Sequence, residues 1–463
     1  MGNHSRRDVL LASAVLSAAA VRPAIAAAAT NPPPTLPPAL RTRFDSYCVD
    51  QKLPGAMLAV VRRGRLEGCY GYGKASVPFD VPVAPTTLFH IASMSKHVTA
   101  LAVLRLVERN KLSIDDPIGK HVTGLIAWMN PLPIRLMLGH ISGIADYEAG
   151  FTWDRPFDHD ALMKSVPDPI GRPRETLVYS NSAYAILGWL IEAVSGKSYV
   201  DYVQDELFKP AGLPLARADA ADMPVVGRAE PYHWVDGILH HATRMDNAVS
   251  HMSDGGLLFS ALDWAPWLDA VDQGKIVSPD LLASMYEPGL LLSGRVTNYG
   301  FGWFLEKVRG RDVRSHTGSV PGFRSRILRY PAAELTAIFQ TNGDPAFPMG
   351  TFLEEVIEHY RPGTTFLSLP GQPEPSSQRA KHLAAYLAGQ DDEATLAPEL
   401  VLAEKAAKRP PGPRIAHQPI EISLLDTYPL PNGSASRYRI DTGERPVTML
   451  IGWSAADQIY FVR

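Results

Sequence analysis

Ser93 and Lys96 stand three residues apart in HIASMSKHVT, where a loop gives way to an apolar run. Residues three apart on a helix share a face. A hydroxyl beside an amine is the minimum equipment for nucleophilic acyl transfer, because the amine accepts the proton as the oxygen attacks a carbonyl. The spacing alone carries little weight, since roughly one such pair is expected by chance in a chain of this length. Its context carries more. The pattern predicts a helix from Ser93 to about Arg109, and from Val98 to Val107 almost every residue is apolar, so that helix is buried on all sides. A lysine at the mouth of such a helix is costly unless polar groups meet it. Burial also lowers the pKa of a lysine, which makes neutral amine available near pH 7.

Two further segments bear on the pair. LVYSNSAY carries Tyr179-Ser180-Asn181 in a loop just before a helix, and VRSHTGSVPGF carries His316-Thr317-Gly318, then Ser319, at the end of a strand. Each alone is more often structural: a cap, a snorkelling lysine, a core tyrosine, a surface histidine. The chain holds one SxxK, at Ser93, and no GxSxG elbow. In this order and these contexts, Ser93-Met94-Ser95-Lys96, Tyr179-Ser180-Asn181 and His316-Thr317-Gly318 resemble the three motifs of the penicillin-recognising serine hydrolases. That group holds class C β-lactamases, D-Ala-D-Ala carboxypeptidases, D-aminopeptidases and β-lactamase-like esterases. IRLMLGHISGIADY, HMSDGGLLFSALDWAPWL and YGFGWF resemble it as well, and the resemblance runs from about Leu40 to Tyr360.

The resemblance implies roles. Ser93 forms an acyl-enzyme, and Lys96 receives or relays its proton. Tyr179 shares the base role, then protonates the leaving group or activates water. Asn181 hydrogen-bonds the lysine or the substrate amide. The backbone N–H groups of Ser93 and Ser319 hold the oxyanion, and each such donor is worth on the order of 3 kcal/mol. His316 and Thr317 line the substrate, and Gly318 lets the strand approach without a side chain. One departure stands out. β-Lactamases of the group carry lysine where this chain has His316, and histidine is at most a partial cation near pH 7. This weakens the β-lactamase reading, while HTG is familiar among D-Ala-D-Ala carboxypeptidases and related peptidases and esterases. Arg324 and Arg326 follow as either partners for a substrate carboxylate or surface arginines.

The expected activity is an exported serine hydrolase cleaving a peptide amide with D-residues, peptidoglycan fragments included, or an ester. The alternatives are a class C-like β-lactamase and a non-catalytic ligand sensor or scaffold. No cofactor is implied. His233, His240, His241 and His251 lack metal-ligand order, so no metal is expected. A net charge of -3 offers no field for nucleic acid.

The elements that must position these residues follow from periodicity. GAMLAVVRRGRLEGCYGYGKAS reads as a hairpin turning at Arg63-Gly64, and four short runs from Tyr299 to Asn342 read as an antiparallel meander. Together they predict an α/β fold: one antiparallel sheet flanked by helices, with an all-helical subdomain inserted, plus a small C-terminal extension; the resemblance implies that this is the β-lactamase/DD-peptidase type. Residues 1–26 read as a twin-arginine signal with Arg6-Arg7, an apolar stretch too short to span a bilayer, and a cut after Ala26, so the protein is expected to be periplasmic or secreted. Residues 27–39 read as a mobile proline-rich lead-in, 40–365 as the hydrolase, and 366–463 as a linker, helices and a small β extension that either lies over the cleft or caps the sheet. Cys48 and Cys69 are either a disulfide or two buried thiols.

Overall fold

The computed structural model describes residues 32–147, 158–219, 223–243, 253–345, 349–406, 415, 419, 421–443 and 446–463. The signal-peptide reading and His251 lie outside them. Helix α1 (Pro38–Asp50) leads into a hairpin of β1 (Gly55–Arg62) and β2 (Arg65–Ser76), followed by the short β3 (Val81–Pro82). After a long insert come β4 (Phe304–Val308), β5 (Arg311–Val320), β6 (Phe323–Tyr330) and β7 (Leu335–Thr341). The two groups form one antiparallel sheet in the order β3-β2-β1-β7-β6-β5-β4, joined where Leu58 of β1 pairs with Phe339 of β7.

The composition of β1 explains its place at the join. Ala56, Leu58 and Val60 face a cluster with Phe44 of α1 and Phe352 and Val356 of helix α5 (Met349–Tyr360). Met57, Ala59 and Val61 face the other layer, with Val98, Trp264 and Trp267. A strand buried on both faces reads as an unbroken apolar run rather than an alternation. The second layer holds helix α2 (Lys96–Glu108), helix α3 (Asn181–Ser195) and helix α4 (Ala261–Asp272). Ser260 and Asp263 form a capping box at the start of α4, and Gly196 ends α3 at φ 73°. The insert is mainly helical and also holds two small sheets: Phe89–His90, Leu257–Phe259 and Arg217–Ala218 in one, and the hairpin of Tyr232–Val235 with Ile238–His241 in the other.

Beyond residue 366 the chain forms helix α6 (Ser377–Ala388), helix α7 (Pro398–Ala406) and a second antiparallel sheet, β8 (Glu421–Leu430), β9 (Gly433–Asp441), β10 (Val447–Ser454) and β11 (Ile459–Val462). Leu383, Tyr386 and Leu400 of the helices close over Tyr438, Ile451 and Trp453 of this sheet. Strand β8 departs from simple alternation, with a bulge between Leu424 and Asp426 and Pro429 near its end.

The described part of the lead-in runs along the sheet. Pro34 accepts the Cys69 N–H at 2.9 Å, Thr35 bridges Cys69, and Leu36 is buried. Cys48 and Cys69 are both buried free thiols. Burial pushes the Cys69 thiol up to about 11 and the Cys48 thiol further still. Among the described residues no helix is long and apolar enough to cross a membrane.

Candidate active site

Ser93 is the only residue between Thr87 and Leu104 that is not buried. It sits in a 3-10 turn, Ala92–Ser95, that feeds α2 at Lys96. The predicted helix thus begins three residues late, and the difference matters. In a 3-10 turn residues three apart eclipse one another, which brings Ser93 and Lys96 together more directly than an α-turn does. Ala92, the residue before Ser93, lies at φ 49° with its side chain fully buried, a conformation costly for a residue with a Cβ. Its N–H is held by His90 Nδ1 at 3.1 Å.

Lys96 Nζ lies 3.2 Å from Ser93 Oγ, 2.6 Å from Asn181 Oδ1 and 2.7 Å from the backbone oxygen of Asp254. Two of these partners only accept, whereas the Ser93 hydroxyl can also donate. Two amine hydrogens are therefore directed away from the serine, and in the neutral amine the lone pair is left facing its O–H. The same nitrogen stands over the Tyr179 ring, 4.9 Å from its centroid. Tyr179-Ser180-Asn181 is the start of α3: Ser180 is the N-cap and accepts the Ala183 N–H at 3.1 Å, and Asn181 is the first helical residue. That cap turns Asn181 inward to the lysine. The Asn181 N–H is taken by Asp146 Oδ2 at 3.1 Å.

The third segment arrives on β5. Strand β4 covers β5 only as far as Ser315, so His316 to Val320 lie on an open edge toward the serine. Gly318 is what permits the approach. A Cβ there would stand 2.1 Å from the Ile91 backbone oxygen and 2.2 Å from Ser325 Oγ. Gly302, in YGFGW, plays the matching part on the other side: at φ 74°, its Cβ would stand 2.5 Å from His97 Cα at the first turn of α2. Thr317 and Ser319 are exposed on the strand edge.

His316 is buried and its hydrogen bonds define its state. Nδ1 faces the Thr317 backbone oxygen at 2.6 Å, so it carries the hydrogen, and Nε2 accepts from the Tyr299 hydroxyl at 2.9 Å. Burial first, and the Lys96 charge second, hold it well below the ordinary imidazole range, so His316 is neutral. His140 is neutral for the same reasons, with Nδ1 accepting the Ser180 N–H at 3.2 Å. Its ring lies 4.4 Å from Tyr179 and 4.7 Å from Tyr299. Asp254 contributes its backbone oxygen to Lys96, while its carboxyl accepts from the Tyr147 hydroxyl at 2.9 Å and burial raises its pKa. His140, Tyr299 and Asp254 lie in the supporting phrases of the sequence, but no spacing rule announces them. His140, at φ 56°, and Asp254 enter from turns, and Tyr299 from an isolated bridge to Phe304.

Neither candidate arginine is a surface residue awaiting a ligand. Arg324 pairs with Asp344 at 2.9 Å and bonds the oxygens of Val320 and Phe323. Arg326 packs against Gly350 of α5, on the far face of the sheet. His233, His240 and His241 lie on the surface hairpin, and the described residues contain no group able to hold a metal ion.

Residues 27–359 match the family model described as Beta-lactamase. The chain belongs to the beta-lactamase family. Among curated members, penicillin-binding protein 4* of Bacillus subtilis is 27% identical over 371 residues, covering 75% of this chain and 80% of its own length. A D-aminopeptidase of Gluconobacter oxydans is 24% identical over 344 residues, covering 70% of this chain and 61% of its own length. Among solved structures, the octameric penicillin-binding protein homologue from Pyrococcus abyssi shares the fold, with a TM-score of 0.61 and 21% identity over 90% of this chain and 93% of its own. As a beta-lactamase-family protein this chain is a serine hydrolase, and its mixed sheet-and-helix architecture is the family's.

A cleft of about 730 Å³ opens beside Tyr179 and Asp146. Its far wall comes from the C-terminal part of the chain: Leu400 on α7, and Phe461 and Arg463 at β11. Thr176 Oγ1 donates to the Glu399 backbone oxygen at 2.6 Å, which ties α7 to the loop that carries Tyr179.

Proposed function

We propose that this protein is an exported acyl-transferring hydrolase that cleaves a peptide amide containing D-residues, or an ester, through an acyl-enzyme on Ser93. The observation that carries the reading is the Lys96 amine, 3.2 Å from Ser93 Oγ with acceptor-only atoms on two other sides. Ser93 attacks the carbonyl carbon as its proton passes to Lys96. The oxyanion that forms is received by the backbone N–H groups of Ser93 and of Ser319 on the open edge of β5. Tyr179, over whose ring the lysine stands, exchanges that proton with Lys96 and delivers it to the leaving nitrogen or oxygen. Water then takes the leaving group's place, gives a proton back along the same path, and releases the acid and free Ser93.

Asn181 holds the lysine and offers its amide to the substrate backbone. His316, through Tyr299, keeps the β5 edge in place as a neutral group, and Thr317 faces the substrate. The third motif is itself neutral where β-lactamases of the group carry lysine, which favours the peptidase or esterase reading over a β-lactamase. The relatives named a penicillin-binding protein and a D-aminopeptidase point the same way. The residue 40–365 region is taken as the hydrolase, and residues 366–463 as an addition to it. The test is active-site labelling of the purified protein with a fluorophosphonate, mapped by peptide mass, with D-Ala peptides and short acyl esters as substrates. Labelling at Ser93, and loss of both labelling and turnover in Ser93→Ala, is expected. Equal turnover by the two proteins refutes the assignment.

A further inference from the structure

Arg463 stands in the cleft that reaches Tyr179, yet it belongs to the C-terminal sheet. Its guanidinium lies 4.0 Å from the centroid of Phe304, whose ring is 5.3 Å from that of His316. It donates to Ser315 Oγ, one residue before the third motif, and pairs with Glu306 of β4. The side chain is 17% exposed, so it is fixed without being sealed.

Its charge is not cancelled by its surroundings. Glu306 is shared between Arg463 and Arg437, the latter at 2.7 Å. Arg326 is a third guanidinium in the same cluster. The remaining carboxyl, Glu354, accepts from the Tyr330 hydroxyl, and burial pushes it up to about 7, so it is only part-ionised at neutral pH. Three cations thus face one full and one partial anion. His316, the imidazole beside Phe304, adds no charge. The other charged groups on the cleft are placed elsewhere. Asp146 is held by the Asn181 N–H, Glu404 accepts from the Tyr386 hydroxyl at 3.1 Å, and Asp168 and Lys405 are solvated.

We propose that Arg463 is the charge-reading residue of the substrate site: it selects acyl donors whose leaving group carries a carboxylate, and the C-terminal sheet is thereby part of that site. The inference rests on the hydrolase reading above, in which Tyr179 protonates the leaving group. Arg463 and Tyr179 line the same cleft, into which that leaving group would depart. A charge-assisted hydrogen bond to a carboxylate sets the expected preference at roughly 10- to 100-fold over a neutral analogue.

The test uses the full chain and a matched pair of probes: an N-acylated D-Ala-D-Ala peptide with a free C-terminal carboxylate, and the same peptide as the carboxamide. Two readouts are taken, kcat/KM and protection of Ser93 from the fluorophosphonate. The wild type is expected to favour the acid by about 10-fold or more in both. In Arg463→Met the ratio of acid to amide falls to about 1, with the acid losing at least ten times more than the amide, and Arg463→Lys restores part of it. A wild-type ratio near 1, in protein whose Ser93 does label, overturns the proposal and leaves the hydrolase reading intact. Equal losses for both peptides in a folded Arg463→Met overturn it too. If Arg463→Met does not fold, the wild-type ratio and Arg463→Lys decide. Failure of Ser93 to label in the wild type instead strikes the hydrolase reading itself.

Discussion

Replacing Lys96 by methionine separates its chemistry from its structural role. Methionine is of similar length and carries no proton acceptor for Ser93. A positioned base contributes about 100- to 10,000-fold. Lys96 also orders Asn181, so the upper part of that range applies, and a loss of about 1,000- to 10,000-fold corresponds to about 4–5.5 kcal/mol in the barrier. Stability moves much less. Asn181 Oδ1 and the Asp254 oxygen lose a buried donor at 2.6 and 2.7 Å, each worth about 1–3 kcal/mol. Against this, a fully buried polar amine gives way to an apolar thioether, which returns a desolvation cost on the order of the same sum. The melting temperature is therefore expected to shift by no more than a few degrees in either direction. The assay is the rate of fluorophosphonate labelling at Ser93, followed by intact mass, beside a thermal melt. A folded Lys96→Met that labels within tenfold of wild type refutes the assignment of Lys96 as the base.

Gly318→Ala drives a Cβ to 2.1 Å from the Ile91 oxygen and must push β5 off the segment before Ser93. A cost of about 1–3 kcal/mol in stability and a larger fall in labelling rate are expected, and an unchanged rate counts against β5 as part of the site. Glu354 gives a pH signature. Burial, opposed by the Tyr330 hydrogen bond, pushes it up to about 7. An acid with a folded pKa above its unfolded value binds more protons folded than unfolded, so stability falls as pH rises from about 4.3 to 7 and is level above. Glu354→Gln removes this slope, and its melting temperature should exceed that of wild type at pH 8 by more than at pH 5. Parallel pH dependence in the two proteins refutes this account.

How much of this was legible in the chain depends on how local each cause is. GAMLAVV declares a strand buried on both faces, the four runs from Tyr299 declare a meander, and the buried run after Ser93 declares a helix, because burial imposes apolar residues one by one. Ser180 as a cap and Asn181 as the first helical residue are equally local, since a helix start needs its own hydrogen-bond acceptor. These causes determined, from sequence alone, which residue types stood ready for chemistry and on which elements. The tertiary structure decided the rest. The hydrogen bonds of His316 to Tyr299 and Thr317 and its burial made a titratable ring neutral. The short lengths left for Gly318 and Gly302 brought three distant segments to one lysine. Arg463 entered the cleft from more than a hundred residues beyond the third motif, while Arg324, nearer in the chain, is paired with Asp344 and Arg326 is buried against Gly350 on the far face of the sheet. Charge state, close approach and the far wall of a cleft are properties of groups that meet in space. No window along the chain contains both members of such a pair.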